Sequence, residues 1–536
     1  MRLQKTRNGI TMKVYAGTTG VLLAFNVTAQ RREGLLGFAI RRKSESNEWR
    51  WLRGLLHFPH SGPPTFQPVD TNLGPVQKFR WSDYTVYPDR DYTYEVQAVY
   101  GNPNQLRYVH GPSVDIKTES TESGKHRIIF NRAVAASQAY SRRFGNTNPD
   151  DPNDSMYLQA RNWLTRGMLQ KVKDFMDLAT DDTFALDLAL FEFEYDGFVK
   201  KLQEIAERGA EIKVIYHGQP GADQTKENEL HLRPLKRNQK KARLTTALFH
   251  QKFIVLKKKN TAGEFIPQAV LTGTANFTPN GLWRQANVIH IIHDRSLAEK
   301  YEEIFHQLLT SQGRGDTKKY INAHLPIPGN QDIAYSFSPR SGYIDIDLVE
   351  KTIKDADSEV FICSTFKLHD RITDALANPD PGVIRYGLQN SRTRITGFHR
   401  NKSFTTPAFL TKGLEGFLKE SSKGQRGTIY IHLKTLIIDF TTDDPTVIVG
   451  SHNFSKSASD KNDENFVVIR NDTDVADTYF CEMMRLYDHY RFRYNARKRG
   501  FGRATVFNLR TDNSWTDDYF DPTHLKFEER VRFCGN

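Results

Sequence analysis

The sequence predicts an α/β protein of two pseudo-symmetric α/β/α halves packed face to face, preceded by a small all-β sandwich. Three observations carry this expectation. Short alternating apolar runs separated by turn residues fill the N-terminal part of the chain. From Met156 onward, helical and strand patterns alternate, which places helices on the faces of a mixed sheet. The third is a long internal repeat: "LFHQKFIVLKKKN" with "AVLTGTANFTPNGLWRQANVIHI" behind it, and "YIHLKTLIIDF" with "VIVGSHNFSKSASDKNDENFVVI" behind it.

Taken in order, residues 1–118 read as the sandwich, with "VLLAFNVTA", "LLGFAIRRK", "YTYEVQAVY" and "SVDIKTE" as strands. The run "DYTYEVQAVYG" resembles a late strand of a fibronectin type III module, which implies a unit that targets, spaces or docks a protein partner. Residues 119–155 read as a linker and lead-in, from "TESTESGKH" to the Pro/Asp/Asn loop "NPDDPNDS". The sandwich is therefore expected to be removable near residue 125 without loss of chemistry. Residues 156–325 form the first half: a helical stretch, the strand "TFALDLALFEF", the helix "DGFVKKLQEIAERGA" and the strand "EIKVIYHG". Residues 326–500 form the second half, and 501–536 a tail packed on the core.

At 536 residues, with 38% hydrophobic and 12% aromatic residues, the chain is a folded multidomain protein and not a disordered one. Its formal net charge of +12 favours anionic partners. Cys363, Cys481 and Cys534 form no CxxC pair, which points to reduced thiols and a cytoplasmic setting. No signal peptide, bilayer-spanning apolar run or metal-ligand spacing is legible, so no cofactor or integral membrane segment is expected.

The repeat carries the chemistry. His432 and Lys434 lie two residues apart in an otherwise apolar strand, so they share a face. Taken alone, an H-x-K reads as an edge strand with a solvated lysine. The second copy, His250 and Lys252, overturns that reading, because each is followed by G-[TS]-x-N-F: Gly273, Thr274 and Asn276, then Gly450, Ser451 and Asn453. Eleven residues beyond each asparagine stand Asn287 and Glu464. Each half holds only one His, one Lys and one Asn, so a complete set requires the halves to meet.

These residues resemble the motif H-x-K-x4-D with G-[GST]-x-N of the phospholipase D superfamily, the HKD proteins, and "GSHNFSKSASDKNDEN" is similar to its small bacterial endonucleases. The second copy is complete through Asp439; in the first, Lys257 stands at the Asp position, a departure that bears on packing more than on chemistry. The resemblance implies a metal-independent phosphodiesterase acting through a phosphohistidine. Lys252, Lys434, Asn276 and Asn453 would hold the non-bridging oxygens, with Thr274 and Ser451 as further hydroxyl donors. Within each half, Glu464 is expected to orient His432 and Asn287 to orient His250. A carboxylate raises the proton affinity of its histidine, which makes His432 the acid and base and His250 the nucleophile. His290 and His293 read as structural.

Two basic stretches favour nucleic acid as substrate. One contributes Arg233, Lys236, Arg237, Lys240, Lys241 and Arg243; the other is "HYRFRYNARKRGFGR". A phospholipase is the alternative, with phospholipid as partner. A catalytically silent binding protein is the second alternative, against which the retention of both His, both Lys and both Asn speaks.

Overall fold

The computed structural model describes residues 1–59, 67–132, 137–244, 247–311, 313–377, 382–390, 429–499 and 508–535, with side chains up to Tyr494 in the stretch that ends at 499. The N-terminal strands form two four-stranded antiparallel sheets. One contains Arg2–Arg7, Ile10–Ala16, Val21–Val27 and Arg80–Asp83; the other contains Gln105–Lys117, Asp91–Asn102, Gly37–Lys43 and Arg50–Trp51. Strand periodicity explains the sandwich: Ile10, Met12 and Val14 point inward and are fully buried, while Thr11 and Lys13 alternate outward.

The two halves repeat one sheet topology. In the first, a seven-stranded sheet runs His126–Phe130, Val288–Ile292, Phe265–Gly273, Lys252–Lys259, Phe184–Leu190, Glu211–His217 and Lys240–Arg243. In the second, a six-stranded sheet runs Ile333–Ser338, Glu464–Arg470, Thr446–Gly450, Thr435–Ile438, Glu359–Ser364 and Ile384–Gln389. The first six members correspond one to one, with the same parallel and antiparallel pairings. This moves a boundary. His126–Phe130, expected within the linker, is the edge strand of the first half, and the helix Gln138–Phe144 that follows buries Tyr140 and Phe144 in that half's core. The polar flanks of both segments hide their apolar cores from a reading of composition.

The sandwich is not a loosely tethered unit, as the sequence suggested. Arg80 is buried and binds Asp488 through two nitrogens, at 2.5 and 2.9 Å, and also Glu529. Arg2 binds Asp477 at 2.9 Å. The Tyr15 ring lies 4.8 Å from that of Phe440 in the second half. The tail folds back over the sandwich, with Trp515 stacked on Phe79 at 5.3 Å, and its last helix, Leu525–Cys534, places Phe533 beside Phe440. Removing residues before 125 would take Arg80 from Asp488 and Glu529 and Arg2 from the buried Asp477, and stranding one charge of a buried pair costs about 3–5 kcal/mol. The expected clean excision is corrected accordingly.

Among the described residues no helix is long and apolar enough to cross a membrane. Cys363, Cys481 and Cys534 are free and buried.

Candidate active site

The motif glycines are required because two strands approach too closely for a side chain. A Cβ on Gly450 would lie 2.2 Å from the carbonyl oxygen of Asn465, and one on Gly273 2.3 Å from that of Val288. Thr274 and Ser451 then bind the neighbouring strand. Thr274 donates to Asn287 Oδ1 at 2.8 Å and accepts from the Val288 N–H at 3.1 Å. Ser451 accepts from the Asn465 N–H at 3.0 Å and donates to its carbonyl at 3.4 Å. Both are fully buried. Their hydroxyls hold the loops in place and are not turned to a phosphate, which corrects the expected donor role.

His432 and Lys434 lie just before the regular strand Thr435–Ile438, not within it. Their segment leaves its own sheet to reach the other half. The His432 N–H donates to the Ala286 carbonyl at 3.0 Å, and the Ala286 N–H donates to Tyr430 at 2.8 Å. The first half mirrors this: His250 N–H donates to Asp463 at 2.9 Å, and Asp463 N–H to Leu248 at 2.9 Å. Each motif strand is thus stitched to the residue preceding the other half's orienting side chain.

The result is a crossed arrangement. His250 Nδ1 meets Glu464 Oε2 at 2.9 Å, and His432 Nδ1 meets Asn287 Oδ1 at 2.9 Å and the Thr274 carbonyl at 3.0 Å. The pairing expected within each half is corrected: Glu464 serves His250, and Asn287 serves His432. Both partners are fixed in turn. Asn462 donates to Glu464 Oε1 at 2.9 Å. Asn287 gives its own amide to the carbonyls of Gly281 and Gln285, which turns its oxygen toward His432. Asn131, which lies in the stretch read as linker, holds the same loop through Gly281, Leu282 and Gln285 and accepts from the Asn287 N–H. With Nδ1 of each ring engaged, Nε2 of each is left for chemistry.

The imidazole centroids are 6.5 Å apart, with planes inclined by 71°. Lys252 donates to the His250 carbonyl at 3.2 Å and Lys434 to the His432 carbonyl at 2.7 Å, so each ammonium is held by one of its three donors. Asn276 gives its amide to Glu192 Oε2 at 2.6 Å, a residue that the sequence reading missed. Its trace was a glutamate between phenylalanines at the end of an apolar strand, in "LALFEFEYD".

Burial and mutual charge set the protonation states. His250 is pushed down to about 4, by burial first and then by Lys252, against the opposing pull of Glu464. His432 is driven well below its ordinary value by burial, Lys434 and Lys252. Lys252 falls to about 7 through burial, and Lys434 well below its usual range through burial and the Lys252 charge. Two neutral imidazoles and two lysines eager for an anion therefore face one another.

The Lys257 departure is resolved as a charge exchange. Asp439, in the second half, accepts the backbone N–H groups of Asp357, Ser358 and Glu359 at 2.7–3.1 Å. Lys257 instead pairs with Asp187 on the adjoining strand at 2.5 Å and with Glu302 at 3.2 Å. Asp187, Glu302 and His306 lie close enough together to share a cation, and the Lys257 ammonium is already among them.

The basic residues divide. Arg233, Lys236 and Arg237 are exposed. Lys240 and Lys241 are half-buried and donate to the carbonyls of Leu232 and Leu309. Arg243 is buried, bound to Asp463, Ser311 and Thr317 at 3.3, 2.6 and 2.7 Å, so it braces the seam and is not placed to meet a substrate, a correction. The second basic stretch lies within the described side chains only as far as Tyr494. His290 is buried between His126 and Tyr479, at 2.9 and 3.1 Å, as a structural residue.

A fold of two matched α/β halves meeting at a seam of paired His, Lys and Asn defines a phospholipase D-like protein. The family described as "Cardiolipin synthase, PLD-like domain" matches residues 176–309 and 349–487, just over half of the chain, and the chain belongs to that family within the phospholipase D superfamily. Similar solved structures include phosphatidylserine synthase of Haemophilus influenzae Rd KW20, with 12% identity, 68% of this chain and 93% of that chain covered, and a TM-score of 0.41. The phospholipase D family member Nuc of Salmonella typhimurium is 23% identical over 30% of this chain and 93% of its own, at a TM-score of 0.22. NucT of Helicobacter pylori is 21% identical over 29% of this chain and 97% of its own, at 0.22. No curated protein matches the chain in sequence.

Proposed function

We propose that the protein is a phosphodiesterase that acts through a phosphohistidine, with nucleic acid as its substrate. The observation that carries the chemistry is the meeting of His250 and Lys252 with His432 and Lys434 across the seam, each imidazole held at Nδ1. A diester anion between the two ammoniums offsets the positive field that keeps His432 neutral, so a proton on His432 is retained once substrate enters. Nε2 of His250 attacks phosphorus, the bond to the leaving oxygen breaks, and that oxygen takes the proton from His432. Water then attacks the phosphohistidine, returns a proton to His432 and releases His250 as the P–N bond breaks.

The crossed partners support these roles on a basis opposite to the one expected. When His250 attacks, its ring gains positive charge with Nδ1 still protonated, and the Glu464 carboxylate stabilises that cation. His432, facing only neutral acceptors, gives up its proton more readily. Nucleic acid is favoured by the net charge of +12 and by exposed Arg233, Lys236 and Arg237 in the segment that leads toward the His250 strand. Incubating the chain with labelled DNA, RNA and phosphatidylcholine vesicles, with and without EDTA, tests this reading. Cleavage of either nucleic acid, unaffected by EDTA, is expected; cleavage of phosphatidylcholine alone would replace nuclease with phospholipase.

A further inference from the structure

Glu192 lies two residues past the strand Phe184–Leu190, in a segment whose backbone is pinned on both sides. The Phe191 N–H donates to the Gln251 carbonyl at 3.0 Å, and the Phe193 N–H to Asn228 Oδ1 at 2.8 Å. Phe191 packs its ring 5.2 Å from that of His250, and the Lys252 ammonium sits 5.3 Å from the Phe191 ring centre. Between these anchors the half-buried Glu192 turns toward Asn276 and takes its amide at 2.6 Å. Among the described residues the second half has no such group. Leu190 lies opposite Lys252, and Cys363 opposite Thr435, the residue after Lys434, so the counterpart of Glu192 is Phe366, an exposed ring. Among the described residues no carboxylate meets the Asn453 amide. Among the described residues, one motif amide is thus held by a carboxylate and the other is not.

The charges around Glu192 are Lys252 and Lys434 from the two motif segments, Glu194 from its own, Glu464 beyond Lys252, and the two imidazoles. Burial, opposed by Lys252 and assisted by Glu194, lifts the carboxyl to about 7. With both lysines charged and Glu192, Glu194 and Glu464 ionised, these groups sum to one negative charge. A proton on Glu192 brings them to neutrality.

We propose that Glu192 determines which phosphates the site accepts: its carboxylate occupies the Asn276 amide in the free protein, so that a phosphodiester monoanion enters together with one proton and a phosphomonoester dianion is turned away. This assignment rests on the phosphodiesterase reading above. It deepens that reading, because hydrolysis of a diester leaves a monoester whose second ionisation lies near pH 6. Once the product becomes a dianion, Glu192 ionises, reclaims Asn276 and displaces it.

The test uses the full chain with dimethyl phosphate and methyl phosphate as probes. Binding is followed by phosphorus NMR from pH 6 to 9, and carboxyl protonation by infrared difference spectroscopy. In the wild type, dimethyl phosphate affinity should fall by an extra factor of about ten per pH unit above 7 relative to Glu192→Gln. A protonated-carboxyl band should appear on binding in the wild type and be missing in Glu192→Gln. Methyl phosphate should bind about tenfold or more weakly than dimethyl phosphate at pH 8, and Glu192→Gln should erase that preference, through loss of like-charge repulsion. Glu192→Asp, which keeps the charge, should retain both the band and the preference. An unchanged band or preference in Glu192→Gln overturns the assignment, even where the wild type cleaves nucleic acid. Failure of dimethyl phosphate to bind at any pH also overturns it. A wild type that cleaves no diester yet shows the Glu192-dependent band overturns the phosphodiesterase reading and leaves the assignment standing.

Discussion

His250 faces a carboxylate and His432 an amide, although the motifs that carry them are near copies. The same unevenness recurs at two further places: Glu192 against Phe366 at the cleft, and Lys257 against Asp439 behind it. In each case the backbone topology is preserved and one side chain has been exchanged. The duplicated fold supplies two equivalent sets of hydrogen-bonding positions, and the exchanged side chains give His250 a carboxylate and His432 only neutral acceptors, the difference on which the proposed roles of attacker and proton carrier rest. Where the exchange lies away from the cleft, as at Lys257, it redistributes charge without touching the reacting groups.

The comparison breaks most visibly at the histidines. His250→Ala should lower kcat on the order of 10⁶-fold, as removal of a covalent nucleophile does elsewhere, with every leaving group. His432→Ala should cost about 10²–10⁴-fold with an alkoxide leaving group and far less in the first step with p-nitrophenolate. Rapid mixing of His432→Ala with a p-nitrophenyl diester should therefore give a burst followed by a stall. A burst from His250→Ala instead would exchange the two roles.

The orienting residues sharpen the comparison. Glu464→Gln should slow turnover by about 10²-fold, the low end of the range for acid–base positioning, because an amide still accepts from Nδ1 but no longer offsets the charge on the attacking ring. Asn287→Asp should cost about tenfold or less, and should move the alkaline limit of kcat upward as His432 holds its proton more tightly. Equal losses in the two variants would mean that the halves share the chemistry evenly.

A pH profile of kcat/KM separates the same groups. Attack needs neutral His250, lowered to about 4, and charge stabilisation needs protonated Lys252, lowered to about 7. The wild-type profile should be bell-shaped and already declining before 7, because His432, well below its ordinary value in the free protein, must carry a proton for the first step. It should fall as His250 gains its proton on the acid side and as Lys252 loses its proton on the alkaline side. An alkaline limit near the ordinary lysine value would show that the cleft is wetter than its geometry implies.

The smallest effect on rate belongs to the pair behind the cleft. Lys257→Met should destabilise the fold by about 3–5 kcal/mol by stranding buried Asp187. Asp439→Ala should cost about 1–3 kcal/mol by freeing backbone donors. Urea unfolding reads both, and kcat of the folded fraction should stay within a few fold of wild type.

What the sequence disclosed and what it hid follow from range. The His, Lys and Asn of each motif were legible because their spacing along one strand and one turn fixes their direction. The crossed partners were not, because Glu464 and His250 lie 214 residues apart and meet only at the seam. The hydroxyls of Thr274 and Ser451 misled for a related reason: they sit near the motif asparagine in sequence but face the next strand in space. His126–Phe130 was hidden by polar neighbours on a segment of five residues. The tie between sandwich and core depends on Arg80 meeting Asp488 across 408 residues, beyond the reach of any local pattern.

The crossed stitching also has a consequence in time. During synthesis the first half leaves the ribosome with His250 and Lys252 in place, while Glu464, Lys434 and His432 are still to be made. Until residue 464 has emerged and docked, the His250 imidazole has no carboxylate at Nδ1 and no second ammonium across from it. On the proposed nuclease reading, the order of its own residues holds a nascent chain harmless toward the nucleic acid around it, and the site is complete only in a molecule whose two halves are both finished.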